Sequence, residues 1–231
     1  EYRLKLMNKY LYTSLNNQSN LNFTHVILIH ENLPEKYIKK IYDIPSKFEK
    51  IVIKSNVSEN NGYSIVKDEY KKCDFLITSR IDDDDMIYFN AVEDIQKSIN
   101  KDTIINIYGY QNGCTMIDGE KETFSHKTKP LGGMIAILLT LIINTKKNKK
   151  PLSIYTLGRH TNIKNNLISN HKKLGIDILP DDFWKLNSSV NPAWVYVRHE
   201  KSDSQSKHIT NKKIEFNMKE MFGFTSEETK K

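Results

Sequence analysis

Residues 75–86 read Phe75-Leu-Ile-Thr-Ser-Arg-Ile-Asp-Asp-Asp-Asp-Met86, and this stretch decides the fold prediction. Its apolar beginning, residues 75–77, is typical of a buried strand. Arg80 and the carboxylates of residues 82–85 follow directly. Because an unpaired buried charge is very costly, these side chains must project beyond the strand. Open α/β sheets place their ligand crevice at this carboxyl edge of the strands, so we expect a binding site here.

The four neighbouring carboxylates predict a metal site. Like charges in one turn repel each other unless a cation neutralises them. Mg²⁺ and Mn²⁺ prefer oxygen ligands, and either ion could bridge the carboxylates to a diphosphate. Two other interpretations stay open, namely a solvated acidic loop and an N-cap for the helix that follows. The preceding strand and the neighbouring Arg80 favour the metal site.

Length and composition restrict the classes of protein. A chain of 231 residues suits one large domain, alone or with a smaller appendage. The net charge of +7 and the pI near 9.1 favour anionic partners, such as nucleotide-sugar diphosphates, nucleic acid or an anionic membrane surface. Cys73 and Cys114 lie far apart and form neither a metal-binding spacing nor a disulfide framework. This pattern is consistent with a reducing cytoplasm.

Apolar periodicity predicts an alternation of helices and strands. The predicted helices cover residues 3–15, 33–42, 63–72 and 86–99, and the predicted strands cover residues 23–30, 51–53, 75–77, 103–108, 113–117, 152–155 and 194–197. This alternation implies an α/β fold with a mainly parallel central sheet flanked by helices. A doubly wound sheet normally opens on a strand, whereas this chain opens on a helix, so we expect a first strand to be missing.

Two further segments carry structural predictions. The longest apolar stretch, residues 134–143, is too short to span a bilayer. We expect it to form a buried core helix or a helix that rests on a membrane surface. Residues 214–224 are expected to dock back onto the domain as a short strand or helix.

Four blocks of sequence resemble the putative rhamnosyltransferase family. They occur in the family's order between residues 3 and 199 and cover most of the chain. The blocks are Arg3…Ser14-Leu-Asn-Asn-Gln-Ser-Asn-Leu-Asn-Phe23 with His30-Glu-Asn-Leu-Pro34, then Thr78-Ser-Arg-Ile-Asp-Asp-Asp-Asp85, Gly109-Tyr110, and Pro192-Ala-Trp-Val-Tyr-Val-Arg-His199. The family itself resembles GT-A glycosyltransferases, in which an Asp-x-Asp motif binds a metal ion and the diphosphate of a nucleotide sugar.

The resemblance implies a function as well as a fold. It implies a GT-A-like glycosyltransferase that uses Mn²⁺ or Mg²⁺ and moves a sugar from a nucleotide-diphosphate donor to a glycan or glycolipid acceptor. The family name suggests rhamnose, and surface polysaccharide synthesis is the expected process, in the cytoplasm or at the inner face of the membrane. We expect a single domain, residues 1–231, with a nucleotide-sugar-binding half to about residue 118 and an acceptor-binding half from about residue 119.

The resemblance also assigns roles within residues 80–85. Asp82 and Asp84 match the Asp-x-Asp pair, and Asp85 is an alternative second metal ligand. The metal would clamp the diphosphate and neutralise the leaving group. Arg80 is expected to pair with phosphate or to hold the carboxylates in place.

Candidates for the remaining roles lie later in the chain. His199, after the predicted strand 194–197, is a candidate metal ligand, and His160 is a second candidate that could instead contact the sugar or the acceptor. Arg159 is expected to meet phosphate. Asp181 and Asp182 are the candidates for the carboxylate base that deprotonates the acceptor hydroxyl, although an N-cap role after Pro180 fits them as well.

A nucleic-acid-binding module is the alternative function, because the chain is basic and rich in Tyr and Lys. Against it, no zinc, helix-turn-helix or RNA-recognition motif appears, and an acidic loop without metal would repel phosphate. We therefore expect no nucleic-acid partner. A haloacid-type phosphatase would require Asp-x-Asp-x-Thr, and Met86 stands where that pattern needs Thr.

Overall fold

The computed structural model describes residues 1–55, 62–120, 122–127, 137–148, 150–158, 162–202 and 212–225. The helices are α1 (Tyr2–Leu6), α2 (Thr13–Asn16), α3 (Glu35–Asp43), α4 (Gly62–Tyr70), α5 (Ala91–Lys97), α6 (Ile163–Asn170) and α7 (Met218–Phe222). The strands are β1 (Thr24–His30), β2 (Glu49–Ser55), β3 (Phe75–Arg80), β4 (Met86–Ile87), β5 (Ile105–Tyr110), β6 (Asn112–Ile117), β7 (Thr123–Lys127), β8 (Leu139–Asn144), β9 (Trp184–Asn187) and β10 (Trp194–Arg198). Within these ranges, no helix has the length and apolar character needed to cross a bilayer.

The chain begins with one continuous helical segment, as its periodicity predicts. A π-helical stretch, Met7–Tyr12, joins α1 to α2. Leu11 and Leu15 are buried on the face that packs into the main core. The side-chain amide of Gln18 then donates a hydrogen bond of 2.9 Å to the carbonyl of Tyr88, just beyond β4. These contacts fix the first helix beside residues 82–85, which we call the acidic turn.

The described strands form sheets of mixed direction. One sheet pairs β1 with β2, the second has the order β4-β10-β6-β7, and the third has the order β3-β8-β5-β9. The parallel pairs are β1 with β2, β6 with β10 and β5 with β9. The other four pairs are antiparallel. The fold is therefore α/β, but the predicted mainly parallel sheet is not confirmed.

Strand β8 accounts for two of the four antiparallel pairs. Leu139–Asn144 falls largely within the segment predicted to be a helix, yet it lies antiparallel between β3 and β5. Every residue of β8 is buried, and a short, continuous apolar run cannot be assigned to helix or strand by its periodicity. Flanking strands on both sides settle the choice. The first part of the predicted helix, residues 134–136, lies outside the described residues.

Two other predicted elements differ from the structure. Residues 86–99, predicted as one helix, contain the short strand β4 and the helix α5. Residues 152–155, predicted as a strand, lead into the 3₁₀ helix Ile154–Leu157. The hydroxyl of Ser153 accepts a hydrogen bond from the Thr156 amide, and this capping box favours a helical turn over an extended chain.

The strands β6 and β10 form the part of the core that carries the site. They run parallel, with Arg198 opposite Ile117, so their carboxyl ends lie side by side. Trp194 of β10 is fully buried, and its ring occupies the space where a Cβ on Gly113 would stand, only 2.1 Å away. Helix α7 docks on the same core through the buried Phe222, which confirms the predicted docking of the C-terminal segment.

Candidate functional site

The pairing of β4 with β10 brings the acidic turn to the end of β10. Met86 lies opposite Val195 in this antiparallel pair, so the residues before Met86 extend along β10 towards its carboxyl end. The amide of Val197 donates a hydrogen bond of 3.3 Å to Oδ1 of Asp85. His199 is the first residue after β10, and it meets the acidic turn there.

Asp84 and His199 form the centre of the candidate site. Oδ2 of Asp84 lies 2.8 Å from Nε2 of His199, and the imidazole is completely buried while the Asp84 side chain is 10% exposed. The ring of Tyr2 packs edge-on against the imidazole, with 5.3 Å between the ring centroids. The structure thus brings together two of the predicted metal ligands, which are separated by more than one hundred residues in the chain.

Arg3 places a positive charge on this pair. Its Nη1 lies 3.0 Å from Oδ2 of Asp84 and 3.1 Å from Nε2 of His199. Its Nε donates a hydrogen bond of 3.0 Å to Oδ2 of Asp83, and its Nη2 contacts the other oxygen of that carboxylate. The guanidinium therefore forms ion pairs with two neighbouring carboxylates of the acidic turn.

Asp85 is the buried member of the acidic turn. Burial raises the pKa of its carboxyl well above the usual range, and the negative charges of Asp84 and Asp82 raise it further. One oxygen accepts the Val197 amide, whereas the buried Oδ2 has no hydrogen-bond partner among the described residues. A bound cation would favour the ionised carboxylate and provide this oxygen with a partner.

Asp82 and Arg80 lie at the rim of the acidic turn. The Asp82 side chain is 59% exposed, and its Oδ1 is 3.9 Å from Nε of Arg80. The Arg80 guanidinium lies over the ring of Tyr155, with 5.5 Å between its central carbon and the ring centroid. Arg80 is therefore close to the carboxylates, as predicted, but no described contact joins Asp82 to His199.

The donor set fits a divalent cation that shares its coordination with a ligand. Among the described residues, no three His, Cys, Asp or Glu side chains are arranged to hold a metal ion by themselves. Asp84 and His199 offer one carboxylate oxygen and one ring nitrogen, with the unpartnered oxygen of Asp85 next in the chain. Mg²⁺ in particular is usually held by one or two carboxylates plus waters and substrate phosphates, so a small protein donor set is sufficient.

A cavity of about 630 Å³ opens beside the pair. Among the described residues, its lining consists of Tyr2, Ile117, Asp118, Arg198, His199 and Glu200. Oδ1 of Asp118 accepts hydrogen bonds from Nζ of Lys9, at 2.7 Å, and from the hydroxyl of Tyr10. Burial alone would raise the pKa of Asp118, but these two hydrogen bonds and the Lys9 charge lower it, so the carboxylate is ionised at neutral pH. Its Oδ2 has no protein partner in the described contacts.

The structure does not bring the two candidates for the base to this site. Asp181 and Asp182 lie in an exposed turn before β9, and neither lines the cavity. The described ion pair of Asp182 is with Lys185, at 3.8 Å. Arg159 and His160 lie outside the described residues.

Sequence reasoning assigned no role to Arg3 or Asp118. Asp118 follows β6 directly, just as the acidic turn follows β3. Because ligands bind at the carboxyl ends of strands in open α/β sheets, Asp118 could have been predicted as a site residue from its position. Arg3 lies on a helix about eighty residues before the acidic turn, and no spacing in the sequence links the two. The signals that could have pointed to Arg3 are its place in the first family-like block and the need of four adjacent carboxylates for a counter-charge.

The comparison with protein families decides the class of the protein. The sequence profile described as putative rhamnosyl transferase matches residues 1–130, which is more than half of the 231 residues. The chain belongs to this family. It is therefore assigned to the glycosyltransferases, which implies a nucleotide-sugar donor and an acceptor, rather than to the nucleic-acid-binding modules. No curated protein matches the chain at a significant level.

Proposed function

We propose that the chain transfers rhamnose from a nucleotide-diphosphate donor to a glycan or glycolipid acceptor, with Mn²⁺ or Mg²⁺ at the acidic turn. The observation that carries the proposal is the 2.8 Å approach of Asp84 to His199 beside the cavity. A carboxylate and an imidazole held together at the edge of a sheet are a suitable partial coordination set. The proposed setting is surface polysaccharide synthesis at the cytoplasmic face of a membrane, on a GT-A-like fold.

Residues of the acidic turn, together with Arg80 and His199, are proposed to bind different parts of the donor. Asp84 and His199 would hold the cation, and Oδ2 of Asp85 would be a further ligand. A cation bound there would neutralise the charge that develops on the diphosphate leaving group. Arg80, within 3.9 Å of Asp82, is in a position to pair with a phosphate oxygen and to keep Asp82 oriented.

The cavity beside the pair is the proposed sugar site. Asp118 is fixed there by Lys9 and Tyr10 through Oδ1, which leaves Oδ2 to accept a hydrogen bond from a sugar hydroxyl. Because its pKa is lowered, Asp118 is a weak base, and we propose that it positions the sugar rather than removing a proton. The assignment of the base to Asp181 or Asp182 stays a prediction.

Hydrolysis of donor sugars tests the proposal without knowledge of the acceptor. The purified chain would be incubated with dTDP-rhamnose, UDP-glucose and GDP-mannose in Mn²⁺, in Mg²⁺ and in EDTA, and release of the nucleotide diphosphate would be measured. We expect slow hydrolysis of dTDP-rhamnose above the other donors, abolished by EDTA and restored by either ion. Undiminished hydrolysis in EDTA would contradict the metal role, and equal rates for all donors would contradict the choice of rhamnose.

A further inference from the structure

The Arg3 guanidinium occupies the approach to the proposed metal ligands. Nη1 is within 3.1 Å of both Oδ2 of Asp84 and Nε2 of His199. The His199 ring has no exposed surface and Asp84 has very little, whereas the Arg3 side chain is about half exposed. Among the described residues, Arg3 and Tyr2 are therefore two groups that cover the pair.

A cation that binds Asp84 and His199 must take the place of Nη1. Both atoms that contact Nη1 are the atoms that a metal ion would use, and two positive charges in contact repel each other strongly at this depth. We infer that Arg3 is a positioning residue of the site: its Nη1 holds the Asp84 carboxylate in place beside Nε2 of His199 when no ion is bound, and a divalent cation displaces it. This inference rests on the proposed function.

The contacts of Arg3 with Asp83 allow this exchange. Nε and Nη2 bind Asp83 rather than the pair, so only the Nη1 contacts have to break. Asp83 then keeps the displaced guanidinium beside the site, where a donor diphosphate offers it a new partner. In this arrangement Asp83 binds Arg3, whereas Asp84 and Asp85 are the proposed metal ligands.

Binding of Mn²⁺ alone tests the inference. The affinity would be measured by electron paramagnetic resonance of free Mn²⁺ for the wild type, Arg3→Gln and Lys5→Gln. Lys5 is exposed on the same helix and controls for the loss of one positive charge. We expect Arg3→Gln to bind Mn²⁺ at least about tenfold more tightly than the wild type, because a contacting like charge is removed. Lys5→Gln should change the affinity less than about twofold, because its charge is screened by solvent.

Thermal unfolding of the same proteins separates this role from a purely structural one. Without metal, Arg3→Gln should unfold at a lower temperature than Lys5→Gln, because the acidic turn loses its counter-charge. Saturating Mn²⁺ should close this gap, which a structural defect would not do. Arg3→Met, which keeps an aliphatic stem, repeats the test if the Gln variant folds poorly.

The outcomes distinguish this inference from the proposed function. If the wild type binds Mn²⁺ and Arg3→Gln binds it equally or more weakly, the inference is overturned while the metal site stands. If neither protein binds Mn²⁺ at millimolar concentration, with or without dTDP, the metal role itself fails. Binding by Arg3→Gln alone would support the inference in its strongest form.

Discussion

Asp85 is a buried carboxyl whose ionisation affects both the stability of the fold and the proposed metal binding. The pKa of its carboxyl is raised in the folded state, so folding favours the protonated form. The stability that the protonated carboxyl contributes is fully present below the usual carboxyl pKa. It is lost as the pH rises through the pKa of the folded state. In Asp85→Asn this titration is absent. We therefore expect the metal-free variant to unfold at a higher temperature than the wild type near pH 7, with a difference that shrinks as the pH falls towards about 4. Calorimetric melting across this range is the measurement, and a pH-independent difference would contradict the account.

Asp118 provides the corresponding test for the sugar site. Asp118→Asn retains the shape of the side chain and can still accept from Lys9 and Tyr10, but it turns an amide towards the cavity. We expect the rate of donor hydrolysis to fall by about tenfold, since hydrogen bonds to charged groups are worth about 1.5–3 kcal/mol. Binding of dTDP with Mn²⁺ should change far less.

Glu120→Gln is the matched control for Asp118→Asn, because Glu120 is exposed two residues further on and does not line the cavity. The control should hydrolyse the donor at the wild-type rate. A loss of nucleotide binding in Asp118→Asn as large as its loss of hydrolysis would place this residue at the diphosphate and remove it from the sugar site.

The contact between β6 and β10 fixes the position of His199. A Cβ on Gly113 would lie within 2.3 Å of several atoms of the Trp194 ring, and a fully buried indole cannot withdraw. Gly113→Ala should lower the free energy of unfolding by about 1–3 kcal/mol through overpacking. Gly109→Ala is the control, because its Cβ would meet only the ends of two leucine side chains, at 3.3 Å. Denaturant unfolding of both variants is the measurement, and equal losses would contradict this account of the packing.

Elements with a clear local pattern could be predicted from the sequence. An element such as β8, whose structure depends on the strands beside it, could not. The helix of residues 3–15 has clear periodicity, the strands before the acidic turn and His199 are short apolar runs, and the structure confirms all three elements. The helix predicted over residues 134–143 is wrong for residues 139–143, because a mostly apolar segment carries no clear period, and the pairing with β3 and β5 makes it a strand. In the site, Asp84 and His199 could be predicted from their places after strands, whereas the contact of Arg3 with both could not.

At the level of the whole chain, the candidate site is assembled from distant segments. Arg3, the acidic turn and Asp118 lie within the 130 residues that match the family, and His199 lies about seventy residues beyond them. The predicted division near residue 118 into a donor half and an acceptor half therefore crosses the site, since the pair takes one member from each half. The proposed binding of a metal-diphosphate unit would therefore require β10 to be in place beside β4 and β6.

Calorimetric titration of dTDP into the wild type, Asp84→Asn and His199→Ala, each in Mn²⁺ and in EDTA, tests the central claim most directly. We expect the wild type to bind dTDP at least about tenfold more tightly in Mn²⁺ than in EDTA, because a cation would be shared with the diphosphate. Each variant should lose most of this difference and keep its fold, and Glu120→Gln should retain it. Binding by the wild type that is equally tight in EDTA, or an undiminished Mn²⁺ effect in both variants, would contradict the assignment of Asp84 and His199 as the metal-diphosphate site.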